Sequence, residues 1–151
     1  MDNRSFSYLP GALVINVPEI DAQHADIFER LASLKVSCID HNAYMQEEAD
    51  ELFVTLVEHC ETEARLAREA GVDFRRHGEK HLAMLHGIRK RLDEMEHPEA
   101  DVYGLIRYIE YWLERHIREE DKWFAKSLGA SGFSGVVQAH AEVWRSQDGA
   151  C

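Results

Sequence analysis

Apolar residues recur at helical spacing in four successive stretches of this chain, and nowhere do they sustain the alternation of a strand. Ile20, Ile27, Leu31 and Leu34 mark the first stretch. It opens near Pro18, with Glu19 and Asp21 suited to a first turn, and reaches about Ile39. Asp40-His41-Asn42 breaks it, and Asn42 suits the N-cap of the second. That second stretch carries Leu52, Leu56 and Leu66 and stops near Gly71, a residue suited to a helix C-terminus. The third starts near Phe74 and carries Leu82, Leu85, Ile88 and Leu92 to about Met95. Pro98 opens the fourth, which runs to about Leu128 before Gly129. Four long amphipathic helices with short links predict an all-α, up-down-up-down four-helix bundle. Residues 1–17, with Pro10 and Gly11 among mixed apolar residues, read as an irregular N-terminal arm. The stretch from Gly132 to Arg145 reads as a short C-terminal helix.

A chain of 151 residues fits one domain with one core. The expected division is an arm over 1–17, a bundle over about 18–128 and an extension over 129–151. The formal charge of −11 repels nucleic acid and anionic lipid, which argues against both as partners. The uncharged run from Ser5 to Pro18 holds two prolines and is too short to span a bilayer, so no membrane insertion is expected. It also lacks the basic start and long apolar core of a signal peptide. Cys38, Cys60 and Cys151 are an odd count without metal-type spacing, as expected of reduced thiols in a cytoplasmic protein.

The chemistry lies in the histidines, of which there are nine. The second helix holds His59-Cys-Glu-Thr-Glu63 and the third His77-Gly-Glu-Lys-His81. Residues four apart lie about 40° apart around a helix and about 6 Å along it, so each pair can present two ligands to one point. The fourth helix adds His116 followed by Glu119, Glu120 and Asp121, and the first adds His24. A lone histidine is usually a surface or satisfied interior residue, and a single His–Glu pair is often a solvated helix face. The combination is what carries weight, because each group falls on a different helix. Imidazole with carboxylate and no thiolate suits iron, manganese or zinc. Six or seven ligands exceed the four of a tetrahedral zinc, and two metals sharing carboxylates use the set better.

With these motifs the chain resembles the single-domain bacterial hemerythrins. The matching stretches are Val17-Pro-Glu-Ile-Asp-Ala-Gln-His24, His59-x-x-x-Glu63, His77-x-x-x-His81 and Trp112-Leu-Glu-Arg-His116-Ile-Arg-Glu-Glu-Asp121. A member of that family, myohemerythrin, is itself an up-down bundle. The resemblance implies two iron ions bridged by an oxo or hydroxo ion. His77, His81 and His116 would hold one iron, His24 and His59 the other, and Glu63 and Asp121 would bridge both. One iron then has six ligands and the other five, leaving an open position for reversible dioxygen binding. The implied oxygen pocket is Ile27, Cys60, Trp112, Leu113 and Ile117, residues that would serve equally as core packing. No catalytic acid or base is implied. The expected role is oxygen storage, delivery or sensing, with a protein partner for delivery or signalling.

The alternative is a di-iron enzyme acting on peroxide or nitric oxide, or a donor of iron for repair. A ferritin-like oxidase fits less well, because that fold uses Glu-x-x-His pairs on two helices. The only such spacing here is Glu94 to His97, at a helix end. Asp121 follows His116 by five residues, about 140° around an ideal helix, whereas Glu120 at four has the better ideal geometry. The family pattern favours the aspartate, which predicts a local π-type widening between His116 and Asp121. Several positions depart from the family. Leu9 stands where many relatives have tryptophan, and Cys60 where phenylalanine is usual. Gly71-Val-Asp-Phe lacks a common proline, and the segment after residue 129 is longer than the minimal domain. The missing ring at Cys60 predicts a larger pocket and faster autoxidation. His41, His86, His97 and His140 match no ligand position.

Overall fold

The computed structural model describes residues 9–132. It contains α1 (Pro18–His41), α2 (Gln46–Ala70), α3 (Arg75–Asp93), α4 (Val102–His116) and α5 (Lys122–Ala130). A π-helical turn, Ile117–Asp121, joins α4 to α5, so the two run on as one rod. The described residues contain no strand, and no helix is long and apolar enough to cross a membrane. α1 packs on α2, α2 on α3, and α1 on α4. The result is the all-helical bundle expected from the periodicity.

The helix ends follow from local chemistry. Pro18 occupies the start of α1, where its missing N–H costs no helical hydrogen bond. Asn42 does not cap α2. It ends α1 in the left-handed region at φ 50°, a conformation asparagine tolerates. The Asn42 and Ala43 N–H groups close back on the Ile39 and Cys38 carbonyls at 3.3 and 3.2 Å. Gly71 ends α2 in the same way, at φ 70°, with Val72 N–H on the Ala67 carbonyl at 2.9 Å. α3 stops at Asp93, short of Met95. The fourth rod starts at Val102 rather than Pro98, because the Asp101 carboxylate takes the Gly104 N–H at 2.9 Å, while residues 94–100 wind through turns.

Ile27, Leu31, Leu52, Leu56, Ile88, Ile106, Ile109, Leu113 and Leu128 are among the fully buried side chains. Each contributes about 1.5–3 kcal/mol by leaving water. In the described part of the arm, Leu9, Leu13, Ile15 and Val17 are buried as well, and the arm joins the core. Asp21 fastens it: this buried carboxylate accepts the Ile15 and Asn16 N–H groups at 2.9 and 3.0 Å. Leu82, read as core from its spacing, is 69% exposed. The buried stripe of α3 runs through His81, Met84, Ile88 and Leu92, and Leu82 lies about 100° off it. The helix expected from Gly132 to Arg145 lies, beyond Gly132 itself, outside the described residues, as do His140 and Cys151.

Candidate metal centre

Seven polar side chains meet inside the bundle, one or two from each rod. α1 supplies His24, α2 His59 and Glu63, α3 His77 and His81, and the fourth rod His116 and Asp121. Six of them are buried to 3% exposure or less, and His77 is nearly so. These are the seven residues singled out in the sequence. They fall into two groups, Glu63–His77–His81–His116–Asp121 and His24–His59–Glu63–Asp121, each able to hold a metal ion.

The two carboxylates belong to both groups, and each divides its oxygens between them. Glu63 Oε1 lies 3.1 Å from His77 Nε2 and 3.4 Å from His81 Nε2, while its Oε2 lies 3.2 Å from His59 Nε2. Asp121 Oδ1 lies 3.1 Å from both His77 Nε2 and His116 Nε2, while its Oδ2 lies 3.0 Å from His24 Nε2. Three nitrogens and two oxygens therefore converge on one side, and two nitrogens and two oxygens on the other.

Spacing and satisfaction both fit metal. With bonds of about 2.1 Å, adjacent ligand atoms stand about 3.0 Å apart in an octahedron and about 3.4 Å apart in a tetrahedron. His116 Nε2 lies 3.0 Å from His81 Nε2 and 3.2 Å from His77 Nε2, nearer the octahedral value. His24 Nε2, His59 Nε2 and all four oxygens of Glu63 and Asp121 are buried without an aligned hydrogen-bond partner, despite neighbours at about van der Waals distance or closer. Orphaned buried polar atoms are costly, and a cluster of them is a place where a bound ion could satisfy several at once.

Their ionisation fits as well. Burial pushes the Asp121 carboxyl upward, but His116, His24 and His77 close beside it outweigh burial and hold it well below the usual range. Burial and Asp121 act to raise Glu63, yet His59 and His77 bring it down to about 2. Both carboxylates are therefore ionised and available as ligands. Burial lowers His81 to about 3, which leaves it neutral. Burial acts to lower His77 too, but Asp121 and Glu63 outweigh it and raise it to about 9.

Asp121 reaches the centre because the helix widens. Lys122 N–H bonds the Ile117 carbonyl, five residues back, across the turn in which the five-residue step falls. Glu120 does not join the centre. Its Oε1 accepts from His116 Nδ1 at 2.9 Å, and its Oε2 pairs with Lys80. His59 Nδ1 donates to Gln23 Oε1 at 3.0 Å, and Gln23 Nε2 donates to Thr62 at 2.8 Å. Phe74 stacks on His77 at 4.6 Å and packs against Phe124 at 5.2 Å. Spacing along the chain does not reveal Gln23, Lys80, Phe74 and Phe124, since their roles depend on contacts between helices; Glu120, four residues from His116, carries a visible signal, but that of a ligand.

The residues read as an oxygen pocket take different places. Ile27, Leu113 and Ile117 are fully buried. Trp112 is half-buried and stacks flat on His116 at 4.6 Å, which puts it on the three-histidine side. Cys60 lies at the edge of an apolar groove between α2 and α3, which encloses about 780 Å³ and is also lined by His81, Phe74 and Leu85. Burial and the Glu63 carboxylate push the Cys60 thiol up, so it stays protonated. No known protein family, curated protein or solved structure matches the chain.

Proposed function

We propose that this chain is a hemerythrin-like protein that holds two non-haem irons among its four rods and binds dioxygen reversibly. The observation that carries the reading is the pair of unequal ligand sets joined by two carboxylates, each turning one oxygen to either side. An iron pair bound there would supply the electrons and the open coordination position that reversible dioxygen binding needs. His77, His81 and His116 would crowd one iron. His24 and His59 would leave the other one ligand short.

The protein's own part is to orient these ligands and exclude water. Ile27, Leu113 and Ile117 present apolar surface with 0–1% exposure close in sequence to His24 and His116. Phe74, Phe124 and Trp112 sheathe the three-histidine side. Glu63 and Asp121 are ionised and committed to the centre, so they supply no proton for acid catalysis.

A second reading, a di-iron enzyme acting on peroxide or nitric oxide, draws on one observation. The groove lined by Cys60 and His81 offers a way in from the surface. An anaerobic-to-aerobic spectrum of iron-loaded protein separates the two. A new absorption that appears in air and disappears on deoxygenation supports carriage. Immediate irreversible oxidation with peroxide turnover supports the enzyme. About one zinc per chain as the native metal overturns both.

A further inference from the structure

Of the four fully buried histidines among the described residues, two are braced through Nδ1, and the braces differ in charge. His116 Nδ1 donates at 2.9 Å to the carboxylate of Glu120, whose other oxygen meets Lys80 of α3. His59 Nδ1 donates at 3.0 Å to the neutral amide oxygen of Gln23. Gln23 is fixed by Thr62 at 2.8 Å, and Thr62 by the Glu58 carbonyl at 3.0 Å. The buried Nδ1 atoms of His24 and His81 have no partner among the described residues.

A carboxylate behind an imidazole fixes its tautomer and makes the far nitrogen a stronger donor to metal, more so than a neutral amide does. The carboxylate brace serves the three-histidine set and the amide brace the two-histidine set. Glu120 is 23% exposed and ion-paired, so its charge is kept close to the centre without being buried in it. We propose that the two metal positions are unequal in affinity, that the His77–His81–His116 position fills first and empties last, and that Glu120, acting through His116, is the positioning residue that sets this order. The inference rests on the metal-pair reading above and deepens it. It also gives the five-residue step a second use: Asp121 enters the centre while Glu120, one residue earlier, stands behind His116.

The test is a titration of the metal-free full chain with cobalt(II), followed by visible absorption and calorimetry. Two resolved events are expected, the first the tighter. Glu120→Ala should weaken the first event by about 10–100-fold and leave the second unchanged. Glu120→Gln keeps an acceptor without the charge and should fall between. Gln23→Ala should weaken the second event only. Lys80→Met, which removes a half-exposed cation, should change the first event within about fivefold. Nitrogen NMR of the metal-free chain gives a readout independent of metal: His116 should hold its proton on Nδ1, and lose that preference in Glu120→Ala. Far-ultraviolet circular dichroism reports whether each variant keeps its helices. Two equal events, or a Glu120→Ala variant that weakens both alike or only the second, overturn the inference while the metal pair stands. Fewer than two cobalt ions per chain overturns both.

Discussion

Stripping metal from the loaded chain should cost it several kcal/mol of stability. Six ligand atoms, His24 Nε2, His59 Nε2 and the four oxygens of Glu63 and Asp121, are buried without an aligned partner of their own. An unsatisfied buried polar atom costs about 1–3 kcal/mol. The low end applies here, because the imidazoles and carboxylates partly compensate one another across 3.0–3.2 Å. Even so, the six together amount to roughly 6 kcal/mol, comparable with the whole stability of many domains, at about 5–15 kcal/mol. For a domain of this size, each kcal/mol moves the melting point by about 2–4 °C. Chelation should therefore lower it by at least about 10 °C, measured by circular dichroism with metal content checked before and after. A control sharpens the test. Replacing His24, His59, Glu63 and Asp121 together with leucine should make the melting point insensitive to chelator and higher than that of the metal-free parent. A parent chain that loses its metal with a shift under about 5 °C would refute the reasoning, because the orphaned atoms would then be satisfied without metal.

Three further outcomes are expected. His77 is raised to about 9, so below that pH the metal-free chain holds a proton that metal must displace; affinity should fall about tenfold for each pH unit below 9. A flat affinity between pH 7 and 8.5 would contradict this. Cys60→Phe should fill the inner edge of the groove between α2 and α3 and slow autoxidation of the iron-loaded chain in air; an equal or faster rate counts against that groove as the weak point. Asp21→Ala removes two hydrogen bonds from the N-terminal arm to a carboxylate and should lower stability in urea by about 2–3 kcal/mol, with no loss of metal stoichiometry.

The bundle was legible because its signal is periodic, and so were four of the seven residues at its centre, because they pair at helical spacing; Asp121 in place of Glu120 followed only from the resemblance to the hemerythrins. Boundaries were harder where one residue type suits two roles. Asn42 suits an N-cap and a left-handed C-cap alike, and only the closure onto Cys38 and Ile39 decides between them. Pro98 suits a first helical turn, but the side chain that caps the fourth rod belongs to Asp101. Leu82 has the right composition and the wrong angle, an error of one residue that turns a side chain from core to solvent. The supports of the centre were hidden for another reason. Gln23 behind His59 and Phe74 against Phe124 are meetings between helices, and spacing within one helix says nothing about them.

The wide turn also limits how this protein can be engineered. Arg118 and Glu119 are exposed positions on it, the kind commonly changed to strong helix formers to raise a melting point. At this place such changes would favour ordinary closure onto the fourth residue back. That closure would swing Asp121 about 140° away from His116 and bring Glu120 round toward it. Thermostabilising edits that succeed along the rest of the fourth rod should therefore fail across these five residues, where a more regular helix is a poorer binding site.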